Sequence, residues 1–251
     1  MSAPPLLPEP DAPSSPRARA AAWAVHVFTA SGAVVGLLAL LAAAAGDFRA
    51  AALWMVLALA IDGVDGTLAR QARVKEVVPG IDGRRLDDII DYLNYVVVPV
   101  AFLYWLGAID SPLVAAAPIL ASAYGFSQAD AKTDDHFFVG FPSYWNVVAI
   151  YVWAFEFGSG VTAALLLLLS AAVFVPLKYV YPSQMRSLWW STNLGAGVWT
   201  LVVAAAIALP AFAAGWHLWE VSLLYPAWYV ALSFWMGGLA HRENRRARAN
   251  G

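Results

Sequence analysis

Apolar runs long enough to cross a lipid bilayer follow one another along nearly the whole chain. A spanning helix needs roughly 20 apolar residues, and fewer when neighbouring helices bury it. About eight runs meet this description: 22–45, 50–70, 84–107, 112–129, 144–157, 160–180, 190–213 and 221–240. Only helices and closed barrels satisfy their backbone polar groups in lipid, and these runs lack the alternating pattern of barrel strands. The sequence therefore predicts an all-α, polytopic integral membrane helical bundle with about eight transmembrane helices.

The composition agrees with this class. The 251-residue chain is 61% hydrophobic and only 13% charged, whereas a soluble domain carries about 25% charged residues. It has no cysteine, which excludes disulfide bonds, thiolate nucleophiles and thiolate metal sites. Its basic residues are scattered rather than grouped in one stripe, so we expect no nucleic-acid partner.

Charge also predicts the orientation and the limits of the membrane domain. Of the 15 Lys and Arg residues, only Arg49 falls in a loop that an eight-helix arrangement places outside. By the positive-inside rule, both termini are then cytosolic. We expect a disordered cytosolic tail over 1–20, which could end in an interfacial helix. A single transmembrane domain over 21–241 and a basic cytosolic tail over 242–251 would follow.

Four aspartates interrupt the apolar pattern at the second and third runs. The second helix has one face that carries Asp62, Asp65, Gly66 and Ala69. Their spacing of i, i+3, i+4 and i+7 is that of residues on the same side of a helix. On the third helix, the same periodicity gives a second stripe: Gly83, Asp87, Asp91, Asn94 and Tyr95. Ionisable side chains are costly within a membrane, so they indicate a functional site.

Two facing carboxylate stripes would make a pocket of oxygen ligands. Such a pocket suits Mg²⁺, Mn²⁺ or Ca²⁺. Four carboxylates exceed what one Mg²⁺ usually takes, so two ions are predicted, and two ions can clamp a phosphoryl group. A cation-coupled transporter is the alternative, because acids within a membrane also form ion pathways. Against it, these acids cluster at one membrane face rather than at the midplane.

The spacing of these residues also carries a resemblance to a known family. The pattern Asp62-x-x-Asp65-Gly66-x-x-Ala69-Arg70, followed by Gly83-x-x-x-Asp87-x-x-x-Asp91, resembles the signature of the CDP-alcohol phosphatidyltransferases. The usual signature has eight residues between the arginine and the glycine, whereas this chain has twelve. The longer connector and the stretch 137–146 are similar to the bacterial branch of the family that makes phosphatidylcholine.

The resemblance implies a multi-pass enzyme of the bacterial inner membrane, commonly a homodimer. It would transfer the phosphatidyl group of CDP-diacylglycerol to an alcohol and release CMP. Two Mn²⁺ or Mg²⁺ ions would be held by Asp62, Asp65, Asp87 and Asp91. Asp91 would also act as general base on the alcohol. The CMP moiety would lie along Gly66, Ala69, Arg70 and Gly83.

Choline is the acceptor that this branch implies. Its quaternary ammonium has no N–H donor and is typically held by aromatic faces. Candidates near the cytosolic side are Tyr95, Tyr124, Tyr144, Trp145 and Asn146. Trp and Tyr also collect at membrane interfaces regardless of function. Serine, inositol or glycerol phosphate remain alternative acceptors, although they need hydrogen-bonding or anion-binding groups.

The first helix carries a pair of small residues one turn apart. Gly32-x-x-x-Gly36 is a pattern that brings helices into close contact in membranes. It predicts either a dimerisation face or close packing within one chain.

Overall fold

The fold consists almost entirely of helices joined by short connections. The computed structural model describes residues 15–128, 137–181, 188 and 190–238. Its α-helices are α1 (Pro16–Ala44), α2 (Phe48–Gln71), α3 (Val74–Val77), α4 (Gly83–Asp91), α5 (Val98–Trp105), α6 (Pro112–Ser127), α7 (Trp145–Ala154), α8 (Ser159–Val173), α9 (Gly195–Ala208), α10 (Pro210–Gly215), α11 (Leu218–Ser222) and α12 (Leu224–Ser233). Strands β1 and β2 cover Phe137–Val139 and Lys178–Val180. Segments of π-helix cover Tyr92–Val97, Trp190–Leu194 and Phe234–Gly238.

Within the described part of the chain, three helical segments are long and apolar enough to cross a membrane. They are Pro16–Ala44, Phe48–Gln71 and Trp190–Ala208, with mean hydropathies of 2.2, 1.5 and 1.5. Shorter apolar helices cover Pro112–Ser127, Trp145–Ala154 and Ser159–Val173. The predicted helical membrane protein is thus confirmed as a class, and the number of about eight spans stays a prediction.

Polar side chains mark where several helices begin. The side chains of Ser15, Asp47 and Ser111 each accept a hydrogen bond from a backbone N–H in the first turn of α1, α2 and α6. Asp82 does the same for α4, where it accepts from the N–H groups of Arg84 and Arg85. Each cap satisfies donors that a helix N-terminus leaves without partners. The cap at Asp82 therefore fixes where the second acidic stripe begins.

The third predicted run is one continuous helical rod with a π-helical segment at its centre. It comprises α4, Tyr92–Val97 and α5. Pro99 has no N–H to donate to the carbonyl four residues earlier, which favours a wider turn just before it. This segment carries Asn94 and Tyr95, both buried.

The sixth predicted run ends earlier than expected. The helix predicted over 160–180 stops at Val173, and strand β2 follows in antiparallel pairing with β1. Pro176 explains the break, because proline cannot donate a backbone hydrogen bond and disfavours helix in the preceding residue. Gly140, at φ +83°, then turns the chain out of β1, and its N–H donates to the Leu177 carbonyl at 2.8 Å. The prediction that the whole run 160–180 is helical was therefore wrong for β2, whereas β1 lies between the predicted runs.

Two other predicted runs are also divided. The run 190–213 breaks at Leu209, just before Pro210, and the last run is divided at Leu223. At the N-terminus, α1 begins at Pro16, earlier than the predicted start of the first run. Residues 1–14 and 239–251 lie outside the described part. They include most of the predicted N-terminal tail and all of the predicted C-terminal tail.

Arg49, the basic residue that departs from the predicted charge bias, has a structural contact. Its Nε donates to the Ile207 carbonyl at 2.8 Å, and its other guanidinium nitrogen Nη2 donates to the Ala208 carbonyl. These carbonyls belong to the last turn of α9, where a helix lacks intrahelical donors and favours a cation. Arg49 therefore ties the start of α2 to the end of α9.

The paired glycines of α1 are used inside the chain. Gly32 and Gly36 are buried, and the Asn94 amide nitrogen donates to the Gly32 carbonyl at 3.0 Å. A Cβ placed on Gly36 would lie 2.5 Å from Asn94 Oδ1, and one on Gly32 would lie 2.9 Å from Ile90. The pattern therefore serves close packing of α1 against the rod that carries the second acidic stripe.

Replacing Gly36 with valine should destabilise this packing. The added methyl groups overlap an anchored, buried Asn94, and overpacking of this kind costs about 1–3 kcal/mol. We expect the unfolding temperature in detergent, followed by circular dichroism, to fall by at least about 3 °C. Gly197→Val is the matched control, because nothing lies within 4 Å of a Cβ placed there. An equal shift in both variants would contradict the packing role.

Candidate active site

Two helical faces carry the acidic side chains that the sequence predicts as ligands. Asp62 and Asp65 lie one turn apart on α2, and Asp87 and Asp91 lie one turn apart on α4. One oxygen from each of Asp62, Asp87 and Asp91 lies within 4.8 Å of the other two. All three residues are half-buried. The structure thus brings together a group of carboxylate oxygens that could hold a divalent cation.

Asp65 lies beside this group of three oxygens. It is only 6% exposed. It borders the same small cavity as Asp62, Asp87 and Asp91. We call these four residues the acidic cluster. The small cavity is thus bordered by three carboxylates with converging oxygens and by a fourth, buried carboxylate.

The small cavity and its donors fit a hard cation. Its volume is about 10 Å³, close to the space that one water-sized species needs. The described residues that border it include four carboxylates and no His or Cys. Carboxylate oxygens are the ligands that Mg²⁺ and Mn²⁺ prefer in proteins. A bound cation would also relieve the repulsion among the carboxylates.

Tyr95 connects the acidic cluster to the rest of the site. It lies in the π-helical segment one turn beyond Asp91, and its hydroxyl donates to Asp62 Oδ2 at 2.6 Å. A short hydrogen bond to a carboxylate is among the stronger kinds and fixes the carboxylate orientation. Its ring centroid lies 6.1 Å from that of Tyr144. Tyr95 therefore orients one ligand and also begins a chain of aromatic contacts.

A larger cavity extends from the acidic cluster. Its volume is about 460 Å³, within the range of small-molecule sites. Its lining includes the four acids together with Arg70 and Arg84. Further side chains of its lining form what we call the aromatic wall: Tyr144, Trp199, Tyr225 and Tyr229. We refer to this space as the large cavity.

Of the four residues predicted to lie along the nucleotide, two border the large cavity and two lie outside its described lining. Gly66 and Arg70 border the large cavity, and Arg70 donates to the Thr67 hydroxyl at 2.9 Å. Ala69 is half-buried on α2 outside the described lining. Gly83 begins α4, and a Cβ placed on it would lie 3.4 Å from the His26 ring of α1. Gly83 thus lies next to His26, at a distance where an added Cβ would make ordinary van der Waals contact.

Of the five residues predicted to bind choline, two border the large cavity and three do not border its described part. Tyr95 and Tyr144 border the large cavity, whereas Tyr124, Trp145 and Asn146 are not among its described lining. Trp145 is fully buried, and its indole N–H donates to the Ser122 hydroxyl at 2.7 Å. Tyr124 is 51% exposed and packs on Phe174 with ring centroids 4.9 Å apart.

Asn146 is buried, and its side-chain oxygen accepts from the Val147 N–H at 2.9 Å. Asn146 lies within α7, so this contact engages its side chain with its own helix.

Three members of the aromatic wall were missed by the sequence reasoning. They are Trp199 on α9 and Tyr225 and Tyr229 on α12. The spacing Tyr225-x-x-x-Tyr229 places both rings on one helix face, and this was the available signal. It carried no indication that α12 borders the same cavity as the acidic cluster, because residues so far apart in sequence converge only through the tertiary fold.

Comparison with curated proteins shows extensive similarity to proteins named phosphatidylcholine synthase. The chain is 36% identical over 235 residues to that of Pseudomonas aeruginosa, which covers 92% of this chain and 95% of the relative. It is 38% identical over 199 residues to that of Rhizobium meliloti, covering 77% and 82%. It is 47% identical over 169 residues to that of Legionella pneumophila, where the match spans 66% of each protein.

No protein-family model matches the chain. The family assignment therefore rests on the curated relatives and agrees with the carboxylate spacing on α2 and α4. Because a relative at 36% identity is matched over 95% of its length, the chain belongs to the phosphatidylcholine synthase family.

Proposed function

We propose that this protein synthesises phosphatidylcholine by transferring the phosphatidyl group of CDP-diacylglycerol to choline, with release of CMP. The observation that carries the proposal is the convergence of Asp62, Asp87 and Asp91 oxygens within 4.8 Å beside a cavity of about 460 Å³. The names of the curated relatives support the product. The resemblance of the acidic stripes to the CDP-alcohol phosphatidyltransferase signature supports the donor.

The acidic cluster is the proposed site of two divalent ions, Mn²⁺ or Mg²⁺. When bound, such ions supply charge stabilisation for a phosphoryl group that is being displaced. Asp62, Asp65, Asp87 and Asp91 would hold them, and the Tyr95 hydrogen bond would keep the Asp62 carboxylate in one orientation.

Asp91 is the proposed general base. The choline hydroxyl oxygen forms a new bond to the phosphorus that bears diacylglycerol, and its proton passes to the Asp91 carboxylate. The bond from that phosphorus to the oxygen shared with CMP breaks, and CMP leaves with the electron pair. The position of Asp91 at the junction of the acidic cluster and the large cavity supports this role.

Gly66 and Arg70 are the proposed contacts of the nucleotide at the cavity surface, since both border the large cavity. Ala69 and Gly83 do not border the described part of this cavity, and their proposed place beside the nucleotide rests on the family resemblance. Arg70 carries a guanidinium that suits a phosphate oxygen. We further propose that both termini are cytosolic, which places this end of the cavity where a nucleotide product can leave into the cytosol.

The assay that tests this function uses purified full-length protein in detergent with CDP-diacylglycerol, Mn²⁺ and radiolabelled choline. We expect labelled phosphatidylcholine and CMP to form in equal amounts. Parallel reactions with serine, inositol and glycerol phosphate test the alternative acceptors. Labelled lipid from one of these, with none from choline, would contradict the choline assignment and leave the transfer chemistry standing.

A further inference from the structure

The aromatic wall has polar groups that are largely engaged by the protein itself. The Tyr225 hydroxyl donates to the Thr192 carbonyl and the Tyr229 hydroxyl donates to the Val180 carbonyl, each at 2.9 Å. The Trp199 indole N–H donates to the Tyr151 hydroxyl, also at 2.9 Å. What these three side chains offer the large cavity is therefore mainly ring surface.

The rings form two contacting pairs along the cavity. Tyr144 and Tyr229 have centroids 5.9 Å apart, and Trp199 and Tyr225 have centroids 6.3 Å apart. Trp199 and Tyr229 are 6% and 7% exposed. Ring faces that are shielded from water attract a cation more strongly than exposed ones.

The charges on the cavity lining are unevenly distributed. Among the lining residues that the structure describes, the basic ones are Arg70 and Arg84, on the two helices that carry the acids. The wall itself contributes rings, and the neutral polar side chains elsewhere in the described lining are Thr67, Gln128, Ser143 and Asn193. An acceptor with a phosphate or several hydroxyls would leave its polar groups poorly matched against such a surface, whereas a quaternary ammonium needs no hydrogen bond.

The wall also begins next to the acids. Tyr95, which hydrogen-bonds Asp62, has its ring centroid 6.1 Å from that of Tyr144. Only two carbon atoms separate the nitrogen of choline from its hydroxyl. A cation held against Tyr144 and the neighbouring rings thus keeps the hydroxyl near the acidic cluster.

We infer that Trp199, Tyr225 and Tyr229, together with Tyr144, form the subsite that binds the quaternary ammonium of the acceptor and selects it over other alcohols. This inference rests on the proposed function and names the side chains that determine its acceptor. Trp199, Tyr225 and Tyr229 are specificity-determining residues, since they would contact the substrate away from the reacting atoms.

One test compares choline with its neutral isostere, 3,3-dimethylbutan-1-ol, in the unmodified protein. The two alcohols share shape, so a difference reports the positive charge. We expect the isostere to bind at least about tenfold more weakly, as several cation–π contacts would require. Binding is measured at equilibrium as displacement of tritiated choline from Mn²⁺-loaded protein, independently of turnover. Equal affinities would overturn the inference.

A second test removes ring faces one at a time. Tyr225→Leu and Tyr229→Leu should each raise the KM for choline roughly tenfold, with kcat and the KM for CDP-diacylglycerol within about twofold. Tyr225→Phe and Tyr229→Phe keep the face and lose only the hydroxyl, so their choline KM should stay within about threefold of the unmodified protein. Tyr104→Leu, on α5 outside the described cavity lining, is the control.

The outcomes separate this inference from the proposed function. If phosphatidylcholine forms normally and the leucine variants keep the original choline KM and affinity, the subsite is refuted and the function stands. If choline binds in a manner that needs the rings but no phosphatidylcholine forms, the subsite stands and the function is refuted.

Discussion

Asp91→Asn should lower the rate of phosphatidylcholine formation by at least about 10³-fold. A positioned general base contributes about 10²–10⁴-fold, and the same substitution also removes one negative charge from the group of oxygens proposed to hold the cation. Asparagine keeps the shape of the side chain, so helix α4 should remain intact. The measurement is CMP release under saturating substrates, with circular dichroism to verify the fold.

The matched control for this substitution is Asp110→Asn. Asp110 is exposed in the connection between α5 and α6, and its carboxylate lies outside the acidic cluster. Its substitution should leave the rate within about twofold. If Asp91→Asn retained more than a tenth of the original rate, Asp91 would have to be removed from the role of base.

Chelation by EDTA should reduce activity to background, and added Mn²⁺ or Mg²⁺ should restore it. The physical reason is that the carboxylates of the acidic cluster repel one another at close range and need a cation to approach a negatively charged pyrophosphate. Activity is measured as labelled phosphatidylcholine after gel filtration into metal-free buffer and after readdition of each ion. Full activity in the metal-free protein would contradict the proposed metal site.

Thermal unfolding tests metal binding at the acidic cluster independently of activity. A ligand that binds only the folded state raises its stability with concentration, so Mn²⁺ should raise the unfolding temperature of the metal-free protein. Asp62→Asn and Asp87→Asn should diminish that rise, because each replaces a converging carboxylate by a neutral amide, which is a weaker ligand for a divalent cation. Asp110→Asn should keep the full rise.

The parts of the site that the sequence predicted are those governed by helical periodicity. Asp62 and Asp65, and likewise Asp87 and Asp91, are fixed relative to one another by the rise and turn of a helix. Two such stripes at the ends of adjacent runs needed only a short connector to meet. Their convergence was therefore available from spacing alone.

The parts that the sequence did not predict depend on tertiary packing. Trp145 and Tyr124 are aromatic residues at helix ends, as expected for side chains that bind the acceptor. In the structure, however, Trp145 is buried against Ser122 and Tyr124 packs on Phe174. An aromatic residue at a helix end looks the same in sequence whether it faces a cavity, a neighbour or lipid. Tyr225 and Tyr229 face the cavity because of where α12 packs, which no local pattern specifies.

In the fold, too, local sequence patterns predicted some features and missed those that depend on tertiary packing. Apolar composition predicted the helical class. The end of the sixth apolar run nevertheless forms strand β2, and Pro176 was the local signal that α8 ends early.

The packing of Gly32 and Gly36 on Asn94 bears on how two copies of the chain could associate. The face of α1 that carries Gly32 and Gly36 is already covered by Ile90 and Asn94 of the same polypeptide. We therefore expect a second copy to associate through another surface. The acidic cluster and the aromatic wall are both supplied by one polypeptide. In a homodimer of this protein, each copy would bring its own acidic cluster and its own aromatic wall.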